Sequence, residues 1–210
     1  MRILHTADWH LGKTLEGRSR LKEQEDFLDE LARIVKDENI DAVVMAGDAF
    51  DTVNPPALAE QLFYESLSAL SDKGTRPVVV IAGNHDNPDR LSAASPLTTD
   101  HGIYLIGYPK AEPIDIEVPS SGEILSIAAL AYPSESRLNE VLSDTFDEKL
   151  LRDRYDEKIK QTFQHMSRKF KKGAVQIAAS HIYVAGGSQT DSERPIEVCA
   201  RSIIYTAEGD

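Results

Sequence analysis

Eight side chains able to bind a metal or move a proton stand in four short clusters: Asp8 with His10, Asp48 with Asp51, Asn84 with His85 and Asp86, and His181. Mixed imidazole, carboxylate and amide donors suit Mn²⁺, Fe²⁺ or Zn²⁺ better than Mg²⁺, which prefers oxygen throughout. Two such ions side by side lower the pKa of water and clamp phosphate oxygens for in-line attack, with no covalent intermediate. The amide of Asn84 is a neutral ligand, which limits the negative charge of a site that must accept a phosphate. His85 offers a proton donor where charge builds on a leaving oxygen. Taken singly, each cluster has an ordinary explanation: G-D and N-H-D are turn sequences, and a histidine after a strand is usually a satisfied loop residue. Their recurrence at strand ends points to ligation.

The elements that must position these groups are legible in the apolar runs. In I-D-A-V-V-M-A-G-D-A-F-D, from Ile40 to Asp51, no residue from Ala42 to Ala46 is polar, so the run reads as a strand buried on both faces. Gly47 then turns the chain and leaves Asp48 just past the strand's carboxyl end, the edge where open α/β sheets bind ligands. Arg2 to Thr6 is a short strand leading into Asp8 and His10, whose spacing in an extended end faces both side chains the same way. Pro77 to Ala82 is a third strand, ending at Gly83-Asn84-His85-Asp86. Asp8 to Asp48 is 40 residues and Asp48 to Asn84 is 36, each enough for one helix and one strand, so three adjacent parallel strands aim three ligand sets at one point. The intervening helices are Glu23 to Glu38, with Phe27, Leu28, Leu31, Ile34 and Val35 on one stripe, and Ala57 to Leu70, with Leu58, Leu62, Phe63, Leu67 and Leu70. A right-handed crossover is expected for the βαβ unit that leads to Asp48, and most of the second helix's wide apolar face reads as core, with part of it available for a subunit contact.

Pro88 to Asp100 reads as a short helix and loop. From His101, I-Y-L-I-G, E-P-I-D-I-E-V-P and E-I-L-S-I-A-A-L-A-Y read as strands of a second sheet in a sandwich. Leu138 to Leu142 and Phe146 to Phe170 are helical, with His165 structural near a helix end, and Ala174 to Ser180 is a strand ending at His181. Tyr183 to Arg194 is a polar loop, followed by strand-like pieces after Pro195. His5 and His101 have no ligand-like neighbours.

Composition bounds the class. The chain has 210 residues, 41% hydrophobic and 28% charged, which suits a globular α/β domain with a full core. A net charge of -12 argues against a broad nucleic-acid surface, unless bound divalent cations supply the positive field at the site. The exception is a basic loop, with Lys13, Arg18, Arg20 and Lys22 close together. Such runs are usually solvated faces, but beside a metal site Lys13, Arg18 and Arg20 become candidates for contact with a phosphate backbone. The single cysteine, Cys199, forms no internal disulfide, so a reducing compartment, the cytoplasm, is expected. M-R-I-L-H-T-A-D lacks the apolar core of a signal peptide, and no run approaches the ~20 apolar residues of a membrane span.

The ordered set D-x-H, G-D-x-x-D, G-N-H-D and then H resembles the calcineurin-like metallophosphoesterases. H-T-A-D-W-H-L-G-K and S-H-I-Y-V-A-G-G-S-Q-T-D-S-E-R-P-I-E-V narrow the likeness to the DNA nucleases of that family, over residues 1 to about 198. The resemblance implies a four-layer α-β-β-α sandwich, two divalent ions of the Mn²⁺ type, and nuclease activity on DNA ends and hairpins. It also implies a homodimer and an ABC-type ATPase partner with a long coiled coil. By motif, Asp8 and His10 bind the first metal, Asp48 bridges both, and Asn84 and His181 bind the second. His85 is catalytic rather than a ligand, and Asp51 and Asp86 orient imidazoles from behind. The family's fifth motif, G-H-x-H, has no counterpart here. Residues 1-198 therefore read as an incomplete nuclease domain and 199-210 as an atypical tail. A weakly active binding or dimerising fragment, or a phosphoesterase for another substrate, are the alternatives.

Overall fold

The computed structural model describes residues 1–134, 136–138 and 155–182. Nine strands and five α-helices, with a 3-10 turn at Thr99–His101 before β6, follow in chain order among these: β1 Ile3–Thr6, β2 Thr14–Leu15, β3 Arg18–Ser19, α1 Leu21–Asp37, β4 Ala42–Ala46, α2 Ala57–Ser71, β5 Val78–Ile81, α3 Pro88–Ser92, α4 Ser95–Thr98, β6 Ile103–Ile106, β7 Ile114–Val118, β8 Glu123–Leu130, α5 Tyr155–Arg168 and β9 Val175–Ser180. The first sheet has the order β1-β4-β5-β6 with every pair parallel. Registers of Ile3 with Ala42, Val43 with Val78, and Val78 with Ile103 bring the strands' carboxyl ends to one rim. The second sheet is β7-β8-β9, antiparallel then parallel.

Every residue of β4 and β5 is buried. Strands covered on both faces can be apolar throughout, and full burial of each such side chain contributes roughly 1.5–3 kcal/mol. One core joins Val44 and Met45 to Leu28, Val35, Phe63 and Leu67 of the helices and to Ile116, Leu125 and Ile127 of the second sheet. Helices α1 and α2 thus cover one face of the first sheet and the second sheet covers the other. Helix α5 lies against β8 through Leu130, Leu138 and Ile159. The result is an α/β sandwich with the α-β-β-α layering expected.

Several expectations change in detail. Ile103–Ile106 joins the first sheet beside β5, not the second; the helical crossover between Ile81 and Ile103 permits the parallel pairing. The basic loop holds a small hairpin, β2 with β3. On α1 only Leu28, Leu31 and Val35 are buried, while Phe27 and Ile34 are exposed, because the sheet covers a narrower stripe than the sequence offers. Leu58 is likewise exposed on α2. The helix expected over Phe146 to Phe170 is seen from Tyr155 to Arg168, and its earlier part lies outside the described residues, as do the polar loop from Tyr183 and the tail. No helix among the described residues is long and apolar enough to cross a membrane.

Candidate metal centre

The rim where β1, β4 and β5 end carries the first three clusters, and β9 brings His181 to the same place. Two loops are laced together there. Asp8 N donates to Gly47 O, His10 N to Asp48 O and Leu11 N to Ala49 O, each at 3.0 Å, so the parallel β1–β4 pairing continues past both strands. Asp8 and His10 are not extended, as their spacing suggested: their φ angles are 57° and 45°, and that of Asp48 is 52°. Left-handed backbone at non-glycine residues is uncommon and tends to mark functional sites. It still directs both side chains inward, since His10 Nε2 lies 3.8 Å from Asp8 Oδ1 and 3.8 Å from Asp48 Oδ2.

Asp48 is the hub. Its Oδ1 accepts the backbone N–H of His85 at 2.9 Å, which leaves Oδ2 facing His10 and, at 3.5 Å, His181 Nε2. His181 Nδ1 donates to Ala46 O at 2.9 Å, and Nε2 meets Asn84 Oδ1 at 3.0 Å. His85 Nε2 stands 3.9 Å from Asp48 Oδ2, while its Nδ1 donates to Asp51 O at 2.9 Å and its ring meets the His10 ring edge-on at 4.8 Å. Donor atoms of His10, Asp48 and His85 lie within 4.8 Å of one another, and so do those of Asp8, Asp48 and His181. Asp48 belongs to both sets, which join His10 to His85 and Asp8 to His181 rather than setting Asp8 with His10 as the motifs implied.

This arrangement fits divalent cations. With ligand bonds of ~2.0–2.2 Å, neighbouring donors around a tetrahedral ion are spaced roughly 3.4 Å apart, close to the 3.5 Å and 3.8 Å separations around Asp48 Oδ2. Among the described residues no lysine or arginine pairs with Asp8, Asp48 or Asp51. Two glycines shape the cradle: a Cβ at Gly47 would lie 2.2 Å from the His181 ring, and one at Gly83 2.0 Å from Asp48 Oδ1.

Electrostatics show what holds each group in place of a cation. Burial pushes the His181 pKa down, but the Asp48 carboxylate outweighs it and raises the imidazole to about 9. Burial works to raise Asp48, and the hydrogen bonds from His181 and the His85 amide overcome it, so its pKa is lowered. His10 is lowered, chiefly by burial, with Asp48 opposing. Its neutral form presents a lone pair.

The supporting residues differ from expectation in part. Asp51 Oδ1 lies 3.4 Å from His10 Nδ1 but makes no hydrogen bond to it, and that buried nitrogen has no partner among the described residues. Among the described residues Asp86 makes no hydrogen bond or ion pair with an imidazole. It is buried and accepts the backbone N–H groups of Gly83 at 2.8 Å, Phe50 at 3.0 Å and Ala49 at 3.2 Å, stapling the two ligand loops together, and burial raises its pKa against those three donors. Arg20 is engaged by Glu23 at 2.6 Å, and Lys22 by Glu25 and Asp26, because the acidic first turn of α1 stands next to them. Arg18 is exposed on β3, and Lys13 N donates to His10 O at 3.1 Å, which places Lys13 beside the centre.

Two contributors carry no sequence signal. Gln24, on the charged side of α1, donates to His10 O at 2.6 Å and accepts from Gly12 N at 3.1 Å. Tyr132, two residues past β8, sets its ring against His181 at 6.4 Å.

The sequence profile described as calcineurin-like phosphoesterase matches residues 1–203. Among curated proteins, the chain is 82% identical over 198 residues to the D component of the SbcCD nuclease of Bacillus subtilis (strain 168), covering 94% of this chain and 51% of that protein. It is 31% identical over 198 residues to the protein of the same name from Staphylococcus epidermidis (strain ATCC 12228 / FDA PCI 1200), covering 94% of this chain and 50% of that one. The chain therefore spans about half the length of these relatives. Matched along almost its whole length, and folded so that the family's ligand types meet at one sheet rim, it belongs to the calcineurin-like phosphoesterases.

Proposed function

We propose that the chain is the catalytic part of a metal-dependent DNA nuclease, cutting phosphodiester bonds as an exonuclease and endonuclease at DNA ends and hairpins in repair and recombination. The observation that carries this is the convergence of Asp8, His10, Asp48, Asn84 and His181 on one rim, with His85 beside them. The relatives named as components of a nuclease support the choice of substrate. In this reading Asp8 and His10 hold one divalent ion, Asn84 and His181 the other, and Asp48 serves both; the mixed donors favour Mn²⁺. Such ions, when bound, activate water and neutralise phosphate charge.

The chain's own groups do the rest. His85 Nδ1 faces a carbonyl, which only accepts, so that nitrogen carries a proton. To protonate the leaving oxygen His85 uses a second proton on Nε2 and acts as an imidazolium. Asp51 supplies that carbonyl from its backbone, which orients the His85 ring, and its carboxylate lies near His10 without a hydrogen bond to it. Lys13 and Arg18 are left as the loop's cations for phosphate contact, with Arg20 already engaged. Around this centre we place an SbcC-like ABC ATPase with a coiled coil as partner, a second copy of the chain against the exposed Leu58 side of α2, and a cytoplasmic setting.

Cleavage of a labelled hairpin DNA with Mn²⁺ tests the function. His85→Ala should lose roughly 10²–10⁴-fold in rate while retaining its metal. Equal rates in both proteins would remove the role of His85. Hydrolysis of p-nitrophenyl phosphate without any cleavage of DNA would move the function to another phosphoester.

A further inference from the structure

Tyr132 carries a phenol that the protein does not itself use. Its backbone N–H donates to Ala82 O at 2.8 Å, fastening it to the strand end from which Gly83 and Asn84 depart. Its ring meets the His181 ring at 6.4 Å and 71°. Among the described residues the hydroxyl makes no hydrogen bond, although it lies near enough to Asp48 and Arg137 to feel the charge of both. Packing against His181 would be served as well by phenylalanine, and the hydroxyl is accessible, so it is open to an incoming group. Arg137 stands beyond it, with its guanidinium 6.0 Å from the centre of the Tyr108 ring and no ion pair among the described residues. In a chain of net charge -12, an arginine with no ion pair among the described residues has a use if an anion comes to lie there.

We infer that Tyr132 and Arg137 form an anion-positioning pair on the His181 side of the centre. The Tyr132 hydroxyl donates to a nonbridging oxygen of the phosphate under attack, and Arg137 engages the next phosphate along the strand. The inference rests on the phosphodiester function proposed above. It narrows the substrate to a chain of phosphates, because a lone phosphomonoester leaves Arg137 unused.

The test is equilibrium binding to the Mn²⁺-loaded full chain, with thymidine 5′-monophosphate as a one-phosphate probe and the 5′-phosphorylated thymidine dinucleotide as a two-phosphate probe. Tyr132→Phe removes one oxygen and should leave the melting temperature unchanged while weakening both probes about tenfold, as loss of a hydrogen bond to a charged group does. Arg137→Gln should leave the monophosphate unaffected, weaken the dinucleotide about fivefold or more, and reduce its salt slope by about one. Wild-type affinity in Tyr132→Phe would overturn the role of the hydroxyl. Equal loss on both probes in Arg137→Gln, or no loss on either, would overturn the role of the guanidinium. Failure of the unaltered protein to bind either probe would instead overturn the phosphodiester function, and with it the pair.

Discussion

Gly47→Ala separates the demands of the backbone from those of the metal centre. Gly47 has φ +94°, and a Cβ there would lie 2.2 Å from His181 Nδ1 and 2.3 Å from its Cγ. Ordinary van der Waals contact begins at 3.4 Å, so the ring would have to retreat by about 1.2 Å (3.4 minus 2.2). Retreat breaks the Nδ1 bond to Ala46 O and carries Nε2 away from Asp48 and Asn84. A displacement of about 1 Å in a reacting group costs roughly 10²-fold in rate, and loss of one ligand should lower the affinity of the second ion at least tenfold. The left-handed backbone adds about 1–2 kcal/mol of destabilisation for any L-residue. Gly17→Ala is the matched control, since Gly17 has φ +76° and nothing lies within 4 Å of the place its new methyl would take; it should show the backbone effect alone. Denaturant unfolding gives the stability difference, and Mn²⁺ titration followed by a metal count gives the site difference. If Gly47→Ala binds two ions with unaltered affinity, the close packing of His181 on Gly47 does not position a ligand.

Asp86→Ala would strand the buried N–H groups of Ala49, Phe50 and Gly83, each costing ~1–3 kcal/mol. A loss of about 3 kcal/mol or more is expected in denaturant unfolding, with a much smaller loss in Asp86→Asn, whose carbonyl can still accept two of the three. His181, held at about 9 against an ordinary 6.5, stabilises the metal-free fold fully below about pH 6.5 and loses that contribution as pH rises through 9. Cation affinity runs the other way, rising about tenfold per pH unit up to 9 because one proton must leave; a melting profile of the chelator-treated protein that is flat over this window would refute the pairing. Asp8→Asn, at a side chain 54% exposed, should change metal-free stability by no more than ~0.5 kcal/mol yet weaken Mn²⁺ binding at least tenfold in calorimetric titration.

How much of this is legible in the sequence follows from what each residue faces. Val43, Val44 and Met45, and the Val78–Ile81 run, announce double-sided burial by the absence of any polar residue, and that is enough to find the central strands and the rim where ligands gather. Ile103–Ile106 is ambiguous because its burial alternates as a strand of either sheet would; only the crossover through α3 and α4 decides. Phe27 and Ile34 lie on the right stripe of α1 but past the edge of what the sheet covers. Asp86 misleads because a carboxylate beside His85 in sequence suggests an imidazole partner, whereas the turn aims it at three amides. Gln24 and Tyr132 offer nothing periodic to detect, since their roles exist only once distant loops meet.

The backbone of the ligand loops ties these strands of chemistry together. Asp8, His10 and Asp48 all adopt positive φ, and Asp, Asn and His are the non-glycine types that tolerate this region best. They are also the types that ligate divalent cations. The same substitution pressure therefore satisfies the turn and the ion, and neither requirement alone would explain three such residues in two laced loops. What the turns do not require is the sign of the charge: asparagine would suit the conformation equally and spare the fold a carboxylate at Asp8 and a buried one at Asp48. Asp48, 3% exposed, has no lysine or arginine partner among the described residues, and in the metal-free chain its charge is balanced by the His181 imidazolium; once that proton leaves to free Nε2 as a ligand, the charge that balances both carboxylates has to be a bound cation's.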